Sequence, residues 1–276
     1  MWTRILVIAL TSVTVAGLSA TQSESKEKPS ARRESTIATV RAIQKADYEG
    51  NRAGLKWLHD QLIPPANNKK LASGVLYWRG FALWRRAING FNETPTPTDL
   101  QEDLNNAVAD FRESIVNDPA NVEAKIGEAS CLGYLMFVNR KDQSHVQELA
   151  QQAMPLLKEA QVSAPDNPRL LWVMGPIRWS SPPERGGGQD KAFDLYNRGL
   201  EIIRRQPKAT ADPLEPSWGE PELLMNLSWS YLNRKSPDLD LAQQNADAAL
   251  KIVPYWHYVK DILVPQIQAA KRNTKT

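Results

Sequence analysis

The sequence has little of what metal sites and active sites need. It contains one cysteine, Cys131, and three histidines, His59, His145 and His257, among 276 residues. One thiol cannot form an internal disulfide, and a lone cysteine in an apolar stretch is usually a small buried side chain. The histidines match neither an HExxH pair nor a Cys-His metal spacing, and no Gly-x-Ser-x-Gly motif is present. We therefore expect no metal, no cofactor and no catalytic site.

Charge of one sign and strand-like patterns are also scarce. The 34 Lys and Arg residues nearly balance the 31 Asp and Glu residues, which gives a formal net charge of +3. A basic stripe that would contact nucleic acid is therefore not expected. Alternating apolar and polar runs bounded by turn dipeptides are nearly absent, so the sequence predicts no β-sheet. These absences favour a helical protein that binds a partner over an enzyme.

The first twenty residues have the pattern of a secretory signal peptide. Arg4 provides a positive charge, residues 5–18 are apolar or small, and Ser19 and Ala20 end the run. We predict a signal peptide over residues 1–20 and a periplasmic or secreted protein, with an uncleaved membrane anchor as the alternative. Residues 21–33 are nearly all polar or charged, which predicts a flexible leader. No later stretch is apolar for long enough to cross a bilayer.

One spacing of small and large residues recurs along the chain. A small residue is followed after four positions by an apolar one, which is bulky in all copies but one, after seven by another small one, and after twelve by proline. Positions separated by four and three share a helix face, where small residues let a neighbouring helix approach, and the proline ends the helix. The copies are Ala107-Phe111-Ser114-Pro119, Ala153-Leu157-Ala160-Pro165 and Ala242-Ala246-Ala249-Pro254, with a weaker copy at Ala53-Trp57-Asp60-Pro65 and one without the proline at Ala192-Tyr196-Gly199.

These segments resemble the second helices of tetratricopeptide repeats (TPRs), and Leu224, Leu227, Ser228 and Tyr231 match TPR first-helix positions. The resemblance implies an all-α, TPR-like helix-hairpin solenoid with degenerate repeats, long inter-helix loops and a C-terminal capping helix. In this register we expect Trp57 to be buried. The predicted solenoid covers residues 34–272, with units at about 34–66, 71–119, 121–166, 167–207 and 219–254 and a capping helix over 255–272 that Pro265 interrupts.

The segment from Asn167 to Ala192 contains a triple glycine, Gly186, Gly187 and Gly188, after Pro182-Pro183-Glu184-Arg185. Its free N–H groups could bind an anion ahead of a helix, or the glycines could simply permit a long turn. With Trp218-Gly219 further on, the segment resembles a group of exported bacterial TPR proteins. That resemblance implies binding of peptides or protein partners on an inner groove. It also includes a relative that serves as the periplasmic helical component of some tripartite solute transporters.

The candidate binding residues follow from the helix faces. Trp229 lies one residue after the packing position Ser228, on the face expected to line the inner groove. The other candidates are Glu222, Met225 and Asn233 on the same face, Trp172, Arg178 and Trp179 in the tryptophan-rich segment, and Arg185 with the three glycines as an anion site.

Two functions fit these residues. The first is a non-catalytic exported scaffold that binds a protein or peptide partner, of unknown identity, on its concave helical surface. The alternative is a small-ligand or solute-binding helical component associated with a periplasmic transporter, because aromatic side chains and a long hairpin can enclose a pocket. A deep aromatic cavity would favour the alternative, and an open groove would favour the scaffold. An enzyme would need several titratable groups in one cleft with strongly shifted pKa values.

Overall fold

The structure is a computed structural model that describes residues 29–94, 99–206 and 212–273. All regular structure in these ranges is helical. The predicted signal peptide, residues 1–20, lies outside them. The helices are α1 (Pro29–Tyr48), α2 (Arg52–Gln61), α3 (Lys69–Glu93), α4 (Leu100–Asn117), α5 (Val122–Val138), α6 (Gln143–Ser163), α7 (Pro168–Ser180), α8 (Gln189–Arg205), α9 (Glu220–Asn233), α10 (Leu239–Ile252) and α11 (Val264–Asn273), with a 3₁₀ turn at Pro183–Arg185 and a π turn at Tyr258–Leu263.

The helices pack as consecutive antiparallel pairs, from α1 with α2 to α9 with α10, and each pair stacks on the next. The small residues of the repeat make this packing possible. Ala107, Ala153 and Ala242 are buried on α4, α6 and α10, the second helices of their hairpins. The predicted all-α, TPR-like hairpin solenoid is thereby confirmed. None of the described helices is both long enough and apolar enough to cross a membrane.

Side-chain caps fix many of the helix starts. At α7, for example, the Asn167 side chain accepts the N–H groups of Arg169 and Leu170, and Pro168 occupies the first turn. A capped start satisfies N–H groups that have no partner inside the helix. The same kind of cap is provided by Asn51, Asn68, Asn121, Asp142 and Asp238 for α2, α3, α5, α6 and α10.

The spacing of the weak repeat copy predicts the wrong buried face for α2. Trp57 is 61% exposed, and Leu55, Leu58 and Leu62 are buried instead. His59 shares the buried side, where its Nε2 lies 2.9 Å from Asp110 Oδ2 on α4. Three leucines and a buried polar contact therefore set the orientation of α2, and the Ala53-Trp57 spacing does not.

Both ends of the described chain differ in detail from the sequence prediction. Helix α1 begins at Pro29, so residues 29–33 of the predicted flexible leader are helical. At the other end, the segment predicted as an interrupted capping helix forms a π turn and then α11, with the change at Val264, beside Pro265. Proline has no N–H to donate to the preceding turn, and the helical hydrogen-bond pattern changes from π to α beside it without a gap in the helix.

The array curves until its first and last hairpins touch. The Tyr48 hydroxyl on α1 donates a 2.8 Å hydrogen bond to Glu222 on α9, and Arg33 forms a 2.7 Å ion pair with Asp212. Residues 212–218, which we call the inner strap, cross the inner face next to α3. There the Trp78 indole N–H donates to the Leu214 carbonyl at 2.7 Å. The inner groove is therefore closed at the end formed by the N-termini of α5, α7 and α9.

Candidate functional site

The middle of the inner groove is filled by a buried ionic cluster. Arg85 on α3 donates from Nε to Asp47 Oδ2 at 2.8 Å, and Asn89 donates to the other oxygen of Asp47 at 3.0 Å. Glu222 faces this cluster and accepts hydrogen bonds from Tyr48 and from the Gly219 N–H. Burial raises the pKa of Glu222, and the charge of Arg85 opposes that rise. Glu222 is fully buried, in contrast to the exposed position predicted for it.

Trp218, the last residue of the inner strap, packs among the tryptophans of the first helices. Its ring centroid lies 5.8 Å from that of Trp84 and 5.4 Å from that of Trp172, and its indole N–H donates to the Tyr77 hydroxyl at 2.9 Å. Trp172 is consequently only 6% exposed. This candidate also lies in the interior, where it stabilises the packing of α3 against α7.

A partly exposed aromatic cluster lies at the opposite end of the first helices. Trp179 at the end of α7 lies 5.5 Å from Trp229 on α9 and 6.1 Å from Phe193 on α8, measured between ring centroids. Phe193 lies 4.6 Å from Tyr231. We call these four side chains the aromatic rim. The structure thus brings together two predicted site residues, Trp179 and Trp229, from neighbouring hairpins.

The other predicted residues of α9 surround the aromatic rim. Met225 is half-buried one turn before Trp229, which is 37% exposed. The Asn233 side chain is exposed and donates a 2.8 Å hydrogen bond to the Trp229 carbonyl. Arg234 places its guanidinium 5.7 Å from the centroid of Phe193. The edge of the rim therefore combines aromatic surface with a positive charge.

The aromatic character continues along the same end of the array. Phe91 near the end of α3 lies 5.5 Å from Phe137 at the end of α5, and Arg140 lies 4.7 Å from the Phe137 ring. Sequence reasoning missed Phe137, Phe193 and Tyr231. The signal that could have identified them is their position, since each lies near the same end of a hairpin as Trp179.

The glycine loop forms a turn and leaves no N–H group for an anion. The N–H of Gly186 donates to the Pro183 carbonyl, that of Gly187 to Pro182, and that of Gly188 to Arg178, at 2.9, 3.1 and 2.8 Å. Gly186 and Gly188 have φ values of +72° and +123°, a region that side chains with a Cβ rarely adopt. Arg185 is exposed beside them. The turn alternative therefore describes this loop, and the anion alternative does not.

Three buried nitrogen donors of the inner face have no hydrogen-bond partner among the described residues. They are Trp84 Nε1, Arg85 Nη1 and Trp172 Nε1. Two further buried groups on α9, Asn226 Nδ2 and Ser230 Oγ, lie beside the Tyr196 hydroxyl but form no hydrogen bond of normal geometry with the described residues. Buried polar groups are nearly always paired, with protein or with ordered water, so three donors together on α3 and α7 are unusual. These three donors could be satisfied by a bound molecule that carries hydrogen-bond acceptors.

The described residues contain little that could perform catalysis. No group of three or more His, Cys, Asp or Glu side chains within them could hold a metal ion. Cys131 is fully buried, and burial raises the pKa of its thiol well above its ordinary value. A protonated buried thiol is a poor nucleophile.

Comparison with known proteins supports the fold. No family model matches the chain, and no curated protein matches it. Among solved structures, the HusA haemophore from Porphyromonas gingivalis is similar at 16% identity, with a TM-score of 0.58 over 77% of this chain and 100% of the haemophore chain. The thermophilic TPR protein TTC0263 of Thermus thermophilus is also 16% identical, with a TM-score of 0.45 over 82% of this chain and 100% of its own. The haemophore shares the all-helical hairpin architecture. At a sequence identity of 16%, this similarity shows a shared fold and says nothing about function.

Proposed function

We propose that this protein is an exported, non-catalytic helical scaffold that binds an extended segment of a partner protein on the aromatic rim. The observation that carries the proposal is the contact between Trp179 and Trp229, which joins two hairpins and leaves Trp229 partly exposed. Export rests on the signal-like sequence of residues 1–20.

The chemistry of the aromatic rim supports this role. Tryptophan and tyrosine supply large contact areas on stiff side chains, and such residues dominate the energetics of interfaces. A rigid helical base holds them in place, so little conformational entropy is lost on binding. Arg234 at the edge favours a segment with acidic residues beside its apolar ones.

Closure of the inner groove supports binding at the aromatic rim. The inner strap and the Arg85 cluster occupy the groove with the chain's own side chains. Among the described residues, the aromatic rim lies at the open end of the first helices, where a partner segment can reach it. This location differs from the concave strip predicted from the sequence, although it keeps Trp179 and Trp229.

Peptide selection tests the proposal directly. A random peptide library is selected on the mature protein, and the recovered peptides are measured against the double variant Trp179→Ala/Trp229→Ala and against Trp57→Ala. Trp57 is also an exposed tryptophan, but it lies on α2. We expect peptides that bind the wild type and Trp57→Ala and lose at least tenfold in affinity for the folded double variant, as for interface hot spots. Recovery of no peptide, or equal binding to the double variant, would reject the rim as the binding surface.

A second candidate function is the binding of a small molecule in the interior. It is favoured by the three unpartnered nitrogen donors on α3 and α7. Because the structurally similar HusA protein is a haemophore, haem is the first ligand to test. Absorbance titration with haem should show saturable binding that Trp172→Phe weakens and Trp57→Phe leaves unchanged. An unchanged haem spectrum, or the same affinity in Trp172→Phe, would remove haem binding through this group.

A further inference from the structure

A separate cleft lies between α6, α7 and α8, on a different face of α7 from Trp172 and Trp179. Its volume is about 380 Å³, within the range of small-molecule sites. The floor is apolar and consists of Leu170, Leu171 and Met174 of α7 with Leu195 of α8. These α7 residues recur at helical spacing, so one stripe of the helix faces the cleft. These four side chains give the cleft an apolar base.

Positive charge surrounds this apolar floor. Arg178, Lys191 and Arg198 line the cleft, together with one carboxylate, Asp194. Arg198 is ion-paired with Asp166, and Lys191 Nζ lies 3.8 Å from Asp194. The three cations outnumber the two carboxylates, Asp194 and Asp166, so the edge of the cleft carries a net positive charge.

Arg178 is the cation of this cleft that is available to a ligand. Its guanidinium makes no hydrogen bond or ion pair with any residue in the described ranges, in contrast to Arg198. A guanidinium prefers a planar anion that can accept two parallel hydrogen bonds, and a carboxylate has that geometry. The edge therefore offers a preformed place for one acidic group above the hydrocarbon floor.

The glycine loop lies against Arg178 and contributes to the position of its backbone and guanidinium. The Gly188 N–H donates to the Arg178 carbonyl at 2.8 Å, which ties the loop to the last turn of α7. A Cβ on Gly186 would lie 3.6 Å from Arg178 Nη1, so the loop runs directly beside the guanidinium. Gly187 must lack a side chain, because a Cβ there would lie 2.0 Å from the Ser181 carbonyl oxygen. The proline- and glycine-rich sequence thus builds one wall of the cleft and leaves its N–H groups occupied.

We propose that this cleft binds a small amphiphilic carboxylate, with its hydrocarbon chain on the leucine and methionine floor and its carboxylate on Arg178. The volume accommodates a medium-length chain, and the charge selects an acid over an alcohol of the same length. This site is independent of the aromatic rim, so its failure would leave the proposed partner-binding role untouched.

Isothermal titration of the mature protein with decanoate, decanol and acetate tests the proposal. We expect saturable binding of decanoate and at least tenfold weaker binding of both decanol and acetate, because decanol lacks the charge and acetate lacks the chain. Arg178→Gln should weaken decanoate binding by roughly tenfold or more. Arg185→Gln is the matched control, since it removes the same charge from the neighbouring glycine loop at a residue outside the cleft, and it should change the affinity less than twofold.

Other outcomes would overturn the proposal. Equal affinity for decanoate in Arg178→Gln and wild type would show that the guanidinium does not hold the acid. Equal binding of decanol would indicate an apolar site without selectivity, and equal binding of acetate would indicate an anion site without a chain. Lack of decanoate binding by the wild type would end the proposal. Circular dichroism of each variant checks that the fold is retained, and Leu195→Gln, which lowers the apolarity of the floor from α8, provides a second variant that should weaken decanoate binding.

Discussion

The Tyr48 hydroxyl donates a 2.8 Å hydrogen bond to the Glu222 carboxylate and so joins the first helix to the ninth across 174 positions of sequence. Burial and the nearby Glu222 charge raise the pKa of Tyr48 well above its ordinary value, so this phenol remains a donor throughout the neutral range. The bond lies beside the Arg85–Asp47 pair, and together these groups hold the array closed.

Removal of the Tyr48 hydroxyl should destabilise the fold. Tyr48→Phe leaves a buried carboxylate without one of its two donors, so we expect the free energy of unfolding to fall by about 1–3 kcal/mol. Urea unfolding followed by circular dichroism measures this change. Tyr255→Phe removes the hydroxyl of an exposed tyrosine and should change the free energy by less than about 0.5 kcal/mol. Equal effects in the two variants would contradict a stabilising role for the bond.

The raised pKa of Glu222 predicts a specific pH dependence. A carboxyl whose pKa is higher in the folded than in the unfolded protein binds its proton more tightly when folded. Its contribution to stability is fully present below the unfolded value of about 4.3 and is lost as the pH rises through the folded pKa. Glu222→Gln removes this titration.

The difference in unfolding free energy, wild type minus Glu222→Gln, should therefore decrease as the pH rises from about 4 towards 7. Urea unfolding at a series of pH values measures the difference. Both proteins share the other carboxyl groups, so their contributions to the pH dependence cancel in this difference. A difference that increases with pH would mean that the folded pKa of Glu222 is lowered.

Two helical glycines should respond in opposite ways to the same substitution. A Cβ on Gly175 would lie 1.9 Å from Tyr196 Cε1, whereas a Cβ on Gly133 would meet nothing within 4 Å. Gly175→Ala should cost about 1–3 kcal/mol through overpacking. Gly133→Ala should stabilise the protein by about 0.5–1 kcal/mol, because alanine loses less backbone entropy in a helix. Thermal and urea unfolding of both variants would show whether the signs differ as expected.

Cys131 should be inert while the protein is folded. It is fully buried, and burial raises the pKa of its thiol well above its ordinary value. We expect a maleimide to leave the native protein unmodified and to label one site per chain in denaturing urea, as mass spectrometry would detect. Rapid labelling without denaturant would show that the thiol is accessible, and the assignment of Cys131 to the core would then fail.

Much of the fold could be read from local spacing, because helix pairing depends on neighbours in sequence. Ala107, Ala153 and Ala242 are buried on helices as predicted, since a small residue on a helix face is a local requirement. The orientation of α2 could not be read in this way. It depends on His59 meeting Asp110 on α4, a contact between distant residues that the spacing around Trp57 does not contain.

The candidate site was harder to predict than the fold. Glu222 and Trp172 lie on the predicted inner face, but that face is closed by the inner strap and by side chains of α1 and α3. Nothing in the repeat pattern specifies how tightly successive hairpins curve, and the curvature decides whether an inner residue meets solvent or another helix. Trp229 is exposed and Trp179 half-buried because they lie beyond the closed part.

The Tyr48–Glu222 bond has a consequence for how the molecule comes apart. A linear repeat protein has energetics that are close to a sum over neighbouring units, so a terminal unit can fray without disturbing the other end. In this protein, Asp47 of the first hairpin and Glu222 of the last hairpin lie in one buried ionic cluster. Each of the two hairpins therefore shields the charge of the other from water. Melting of either terminus therefore exposes ionic groups on both, and the two ends behave as one cooperative unit rather than as separate edges.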